Sequence, residues 1–308
     1  MGGDAAPVIL VFGANGQVGH ELPRALAPLG RVVALGRADA DLSAPESLRA
    51  VVRAHRPRVI VNAAAYTAVD RAESEQALAR TVNAESPAVL AQEAEAAGAV
   101  LVHYSTDYVF DGRRALAEAY VEDDATGPLS TYGRTKLEGE GAARVCPRHL
   151  ILRTSWVAGT HGANFARSML RLAAERETLR IVADQHGAPT TAALIADATA
   201  AMLGELHEAP ATDPRWGTYH LVASGHTTWH DYARRVIERA RAAGVSLKCA
   251  PEDIQPITTA EYPTPAVRPA NSRLDTSKLR RTFPGVELPG WESGVDRLVD
   301  HLIREETR

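Results

Sequence analysis

Val8-Ile9-Leu10-Val11-Phe12-Gly13-Ala14-Asn15-Gly16-Gln17-Val18-Gly19 is the stretch from which the rest of the chain is read. Its first five residues are apolar, rich in β-branched side chains and closed by glycine. That pattern suits a strand buried on both faces of a parallel sheet. Gly13, Gly16 and Gly19 permit a tight turn, close approach of a pyrophosphate to backbone N–H groups, and close helix–strand packing. Asn15, Gln17 and Val18 share the turn. Glu21-Leu22-Pro23-Arg24-Ala25-Leu26 is compatible with a helix, whose N-terminus adds a positive dipole end for phosphates. Pro23 is expected to be tolerated only near the helix start. The spacing is G-x-x-G-x-x-G, not G-x-G-x-x-G, and glycine-rich turns also serve as plain connectors. Its place directly between a buried strand and a helix favours dinucleotide binding.

Outward from this turn, Arg31–Leu35 reads as the second strand and ends at Gly36-Arg37. A dinucleotide site with an acid here holds the ribose 2′-OH of NAD, whereas an arginine accommodates a 2′-phosphate. Gly36 leaves room and Arg37 supplies charge, which tilts the cofactor to NADPH with NADH left open; Arg37 as a solvated loop charge is the alternative. Ser43 and Glu46 have capping-box spacing, with Pro45 early in the helix. Asp41 either meets an adenine amino group or belongs to the turn. A helix over 48–55 leads to strand 58–62, and Ala63-Ala64-Ala65 then offers small side chains against which a flat cofactor can lie. Thr67 falls in the loop beyond that strand's carboxyl end, where open α/β sheets bind ligands. A helix spans about 74–97 and contains Asn83, either a satisfied polar residue or an anchor for a water or backbone group near the site. Strand 100–104 delivers Ser105-Thr106-Asp107 to the same rim. Residues 110–129 read as an active-site loop, and 149–153 as another strand.

This alternation predicts a Rossmann-type, doubly wound parallel α/β sheet. The dinucleotide-binding part is expected over 7–156 with 191–224 returning to it. A smaller lobe, expected to bind the substrate, comprises 157–190 and 225–308. Helices are expected over 164–175, 192–206 and from Thr228, a candidate N-cap with Asp231 three residues on.

Tyr132-Gly133-Arg134-Thr135-Lys136 carries the chemistry. Residues four apart share a helix face. A phenol holds its proton to about pH 10, and a neighbouring ammonium favours the phenolate, bringing it toward the working range. The Thr106 hydroxyl is placed to orient a substrate oxygen against that phenol.

Composition bounds the alternatives. The chain has 308 residues with 45% hydrophobic and 23% charged, a globular balance. A net charge of -4 and scattered arginines argue against nucleic acid or a membrane surface as partner. Residues 1–6 lack a basic n-region, and no apolar run is long enough to span a bilayer, so a cytoplasmic protein without a signal peptide is expected. Cys146 and Cys249 read as isolated thiols. The 11 histidines show no metal-ligand spacing, so no metal is expected.

With the glycine turn, Asn62–Ala65, Thr106 and Tyr132-x-x-x-Lys136 in order, the chain resembles the extended short-chain dehydrogenase/reductases. His103–Phe110, Arg153–Trp156, Asp184–Thr190, Tyr219–Gly225 and Arg268–Leu274 narrow this to a likeness with the dTDP-4-dehydrorhamnose reductase family, spanning nearly the whole chain. The resemblance implies NAD(P)H-dependent reduction of the C4 ketone of dTDP-4-dehydro-L-rhamnose. It places Gly13, Gly16, Gln17 and Val18 at the pyrophosphate and Asp41 and Leu42 at the adenine. Ala63, Ala65 and Thr67 would line the cofactor channel, and Lys136 would hold the nicotinamide ribose. Tyr132 would protonate the nascent alkoxide. Thr106 and Asp107 would contact the sugar, and Trp156 would pack in its pocket or in the core. Arg273 would take the substrate diphosphate or pair with a carboxylate. A dTDP-sugar is thus the implied partner, and a homodimer is left open.

Other members of the superfamily fit less well. A 4,6-dehydratase would carry Glu where Tyr108 follows Asp107. An epimerase would keep an acid near Gly36-Arg37. A reductase of another dTDP-4-keto-6-deoxy sugar stays open, because stereochemistry depends on pocket shape. A non-catalytic regulatory subunit on this fold would have no need of Thr106, Tyr132 and Lys136 together.

Overall fold

The computed structural model describes residues 6–306; the reading of residues 1–5 lies outside them. The glycine turn joins β1 (Val8–Phe12) to α1 (Gln17–Leu26). Then follow β2 (Arg31–Leu35), α2 (Pro45–His55), β3 (Val59–Asn62), α3 (Val69–Ala72), α4 (Gln76–Arg80) and α5 (Ser86–Ala97). After β4 (Val100–Thr106) come α6 (Thr131–Ala143), β5 (His149–Thr154), α7 (Phe165–Glu175), α8 (Ala192–Leu206) and β6 (Gly217–His220). The chain closes with α9 (Trp229–Ala242), α10 (Ser277–Thr282) and α11 (Trp291–Glu306). The six strands β1 to β6 form one parallel sheet in the order 6-5-4-3-1-2. The order reverses at β1, where β2 and β3 flank it, and doubly wound sheets bind ligands at such a switch point.

Both faces of the sheet are covered, which is why its strands read as continuous apolar runs. Ile9 and Val11 pack on α1 and α8 with Leu22, Leu26, Ile195 and Met202. Leu10 and Phe12 face the other way, onto Leu48, Val52, Leu90 and Ala94 of α2 and α5. A separate core joins α7, α9 and α11 through Met169, Tyr232, Val236 and Val299. Leu279, Phe283, Val286 and Leu288, assigned from sequence to the smaller lobe, pack instead in the sheet core. Among the described residues no helix is long and apolar enough to cross a membrane.

Several local expectations are corrected. Pro23 is the seventh residue of α1, not near its start, and the helix runs only one turn further before tightening at Ala27–Leu29. Ser43 does not cap α2, because Pro45 at N1 makes Ala44 the N-cap; the Ser43 N–H donates to Asp41 at 2.8 Å. The helix expected over 74–97 is interrupted by a π-turn at Thr81–Glu85. Residues 110–129 pack on the segment around Leu274, with Tyr120 bridged to it, and line no part of the cleft. The Thr228 cap holds as expected, accepting the Asp231 N–H at 3.1 Å.

The helix that bears Tyr132 is fixed from below. Glu140 of α6 and Arg153 of β5 are buried and paired in two parallel bonds of 2.8 Å. The Ser105 hydroxyl of β4 donates to the same carboxylate at 2.6 Å. Gly139 lets α6 close on the π-turn, since a Cβ there would stand 2.1 Å from the Asn83 carbonyl oxygen. Gly141 of the same helix faces open space. Gly139→Ala should therefore cost about 1–3 kcal/mol by overpacking, while Gly141→Ala should stabilise by about 0.5–1 kcal/mol; urea unfolding of the pair measures both signs. In the same assay Glu140→Gln, which strands the Arg153 charge, should cost about 3–5 kcal/mol.

Candidate active site

A cleft of about 900 Å³ lies along the carboxyl ends of β1, β3, β4 and β5. Gly13, Asn15, Gly16, Gln17, Val18, Arg37, Asp41, Leu42, Ala63, Ala64, Ala65 and Thr67 line it, together with Thr106, Asp107, Tyr132, Lys136 and Trp156. Of the residues named from sequence for catalysis, cofactor or substrate, Arg273 alone stands apart: its guanidinium donates to the Leu116 carbonyl.

At the glycine turn the three glycines do different things. Gly13 has φ +82°, and a Cβ would strike the Ala64 nitrogen at 2.6 Å. Gly19 allows α1 onto the turn, since a Cβ would sit 1.9 Å from the Gly13 oxygen. Gly16 meets nothing nearer than 3.3 Å, so its bareness serves the cleft more than the packing. It is the N-cap of α1, and no side chain caps the first turn, which leaves N–H groups free for an anion. The Gln17 side chain is already committed: its Oε1 accepts the Gly159 N–H at 2.7 Å.

Past β2, the space at Gly36 is taken by the Asn15 carboxamide, which a Cβ would meet at 2.8 Å. Arg37 is 78% exposed and reaches Asp41 at 3.3 Å. The Ser43 N–H lowers the Asp41 pKa most, so this carboxylate shapes the turn. The Asn62 Oδ1 accepts the Ala64 N–H at 3.2 Å, and its Nδ2 donates to His103 at 3.2 Å, fixing the alanine turn. Asn83 accepts the Tyr66 N–H at 2.8 Å and donates to the Thr135 hydroxyl at 3.1 Å, so it anchors backbone beside α6.

The start of α6 sets Tyr132. Ser130 caps it, accepting the Gly133 N–H at 3.1 Å, and Glu73 accepts the Thr131 N–H at 2.7 Å. Gly133 allows the helix against the Tyr108 carbonyl, 2.2 Å from where a Cβ would be. Burial pushes the Tyr132 phenol up to about 12; the facing Thr106 hydroxyl draws it back and the Asp107 charge adds to the rise. Burial also lowers the Lys136 ammonium to about 8, with Glu140 opposing. Its Nζ donates to the Tyr104 carbonyl at 2.6 Å. The expectation that Lys136 draws the phenol down is thus reversed: the ammonium is held on the strand, and burial keeps the phenol protonated.

At the far end Trp156 has φ +46° and its indole stacks on Trp229, with ring centroids 3.7 Å apart. Gly187 makes room, since a Cβ would meet the indole at 2.5 Å. Trp229, Tyr108 and Asn164 also line the cleft and were not named from sequence as site residues. The Thr228 cap marked Trp229 as a helix start, but only tertiary stacking makes it a wall. Among the described residues no cluster of His, Cys, Asp or Glu could hold a metal ion.

Residues 7–304 match the family described as the RmlD substrate binding domain. The chain is 50% identical over 304 residues to the dTDP-4-dehydrorhamnose reductase of Salmonella typhimurium, covering 97% of this chain and 99% of that protein. It superposes on a Clostridium acetobutylicum dTDP-4-dehydrorhamnose reductase with a TM-score of 0.86 at 33% identity, covering 96% and 99% of the two chains. A Bacillus anthracis dTDP-4-dehydrorhamnose reductase solved in complex with NADP gives 0.82 at 33% identity, covering 95% and 98%. With the glycine turn, Tyr132, Lys136 and the stacked Trp156 and Trp229 lining one cleft, this chain belongs to the dTDP-4-dehydrorhamnose reductase family.

Proposed function

We propose that this chain reduces the C4 ketone of dTDP-4-dehydro-L-rhamnose with NADPH, giving dTDP-L-rhamnose. The observation that carries the reading is a phenol kept protonated by burial, facing a hydroxyl, in a cleft that begins at an uncapped helix N-terminus. The residues fit the cofactor. The bare Gly16 and the free N–H groups of α1 suit a pyrophosphate, and Ala63, Ala64 and Ala65 suit a flat ring. Asp41 and Leu42 would border the adenine, and Arg37, exposed beside it, would meet a 2′-phosphate. When bound, the nicotinamide supplies a hydride to the ketone carbon.

Tyr132 then gives its proton to the developing alkoxide, and a neutral phenol is the form a reduction needs. Lys136 holds a ribose hydroxyl and steadies negative charge on the phenolate left behind. Thr106 and Asp107 meet the sugar, and Trp156 with Trp229 forms an apolar wall for its ring. Residues 7–156 and 191–224 form the cofactor side, and 157–190 with 225–308 contribute the sugar-nucleotide side, less the stretch around Leu279–Leu288. Arg273 is the candidate for the diphosphate once it leaves Leu116. The same reading carries a cytoplasmic location, where nicotinamide and nucleotide sugars meet, and a homodimer, which light scattering of the purified protein checks.

The assay incubates the protein with dTDP-4-dehydrorhamnose made in situ and follows loss of NADPH and NADH absorbance. Tyr132→Phe should keep cofactor binding and lose nearly all turnover; unchanged turnover would sink the mechanism. Turnover should be full below about pH 8 and fall as pH rises through it, because Lys136 then sheds the proton that its role requires. Lys136→Met should remove that limb together with most of the rate, as steady-state pH profiles measure.

A further inference from the structure

Among the described residues, Arg56 and Trp156 are the two with positive φ that are not glycine. Arg56 closes α2 as its C-cap, where the left-handed conformation is ordinary. Trp156 ends no helix. It stands two residues beyond β5, at φ +46°, and lines the cleft. A bulky residue keeps such a backbone only where its surroundings over-determine it, and residues held in this way cluster at ligand sites.

Trp156 is held from two sides. On one, the Thr190 N–H donates to the Trp156 carbonyl at 3.3 Å, and Val157 and Ala158 pair with Thr190 and Thr191. The indole lies between Trp229 and Gly187. On the other side the hold comes from the glycine turn. Gln17 Oε1 accepts the Gly159 N–H at 2.7 Å, and its Nε2 donates to the Val157 carbonyl at 3.5 Å. One turn further along α1, Glu21 accepts the Thr160 hydroxyl at 3.4 Å. The Gly159 carbonyl is taken as well, by Asn164 Nδ2 at 2.7 Å. The fit is close, since a Cβ on Gly159 would stand 3.1 Å from the Ala192 methyl and 3.3 Å from Gln17 Cβ.

Both ends of the Gln17 carboxamide are therefore spent on the segment directly after Trp156. A pyrophosphate at the turn would meet backbone N–H groups, which this side chain does not supply. We propose that Gln17 is a positioning residue for the sugar side of the cleft. From within the cofactor turn it holds the 157–159 backbone, so that Trp156 keeps the strained conformation in which its indole stacks on Trp229. The proposal rests on the ketosugar reductase reading for what the wall receives, and it gives Gln17 a part other than the one its place in the glycine turn suggests.

The test uses Gln17→Met, which keeps the length of the side chain and loses both bonds. Its kcat/KM for dTDP-4-dehydro-L-rhamnose should fall about fivefold, the worth of a neutral hydrogen bond. Its affinity for NADPH, read from the fluorescence of the nucleotide, should stay within about twofold, because the backbone of the turn is untouched. The stacked indoles supply a readout apart from activity. Their far-ultraviolet circular-dichroism couplet, taken as the difference between the unaltered protein and Trp229→Phe, should shrink in Gln17→Met. In a Trp156→Gly background, where neither ring nor strain remains to be held, Gln17→Met should cost the ketosugar nothing further. Thermal unfolding reports whether each variant folds, and Gln17→Ala decides in the same assays if Gln17→Met does not. Weakened NADPH binding with the couplet and the ketosugar constants unchanged would overturn the proposal and make the side chain a cofactor ligand. Unchanged constants and couplet would overturn it too, as would equal costs with and without Trp156. If the unaltered protein does not reduce the ketosugar, the substrate reading alone falls, and the couplet still decides the positioning.

Discussion

The cleft depends on a charge pair that is not part of its lining. Glu140 and Arg153 are both buried, and they join the helix carrying Tyr132 and Lys136 to the strand next to the one carrying Thr106. Two charges out of water are tolerable only with full hydrogen bonding. Here the Ser105 hydroxyl, the Arg144 guanidinium and the Glu122 carbonyl complete the shell. The pair adds little net stability by itself. It fixes register, because any rotation of α6 about its axis would unmake several bonds to buried charge at once. Lys136 stands one turn before Glu140 and feels the same carboxylate, which offsets part of what burial takes from its ammonium.

That rigidity holds a buried phenol at the wall of the cleft. Tyr132 and Lys136 sit on one face, yet the ammonium spends its bond on the Tyr104 carbonyl. A phenol that ionised readily would suit oxidation of an alcohol, where a base is needed. A phenol held neutral suits the reverse direction, and the Asp107 charge pushes the same way. Burial and the Asp107 charge both act against ionisation of this phenol, and only the Thr106 hydroxyl opposes them.

Much of this was legible in the residues. The run Val8–Phe12 suited a strand buried on both faces, and its place before a helix favoured a dinucleotide turn over a plain connector; the residues then named, from Gly13 to Trp156, line one cleft. One miss was local: Pro45 at N1 moved the helix cap by one residue. The others were set by contacts distant in sequence. Trp229 becomes a wall only by meeting Trp156. The stretch 110–129 read as an active-site loop, but Tyr120 and Asn271 tie it to the segment around Leu274. Arg273 carries the right charge for a phosphate and spends it on a carbonyl. The sign of the Tyr132 shift was hidden too, because burial, which a sequence does not display, outweighs a neighbour it does.

The π-turn at Thr81–Glu85 holds one residue more than an α-helix would use over the same rise. That surplus lets Asn83 face Tyr66 and Thr135 while Val89, Leu90 and Ala94 of α5 still face the sheet. Chain length through this segment is therefore as constrained as side-chain identity. Deleting one residue would turn everything beyond it by about 100° about the helix axis, moving either the asparagine or the apolar stripe off its target. Homologous sequences that keep both contacts should align through 81–85 without a gap, even where every side chain but the asparagine differs.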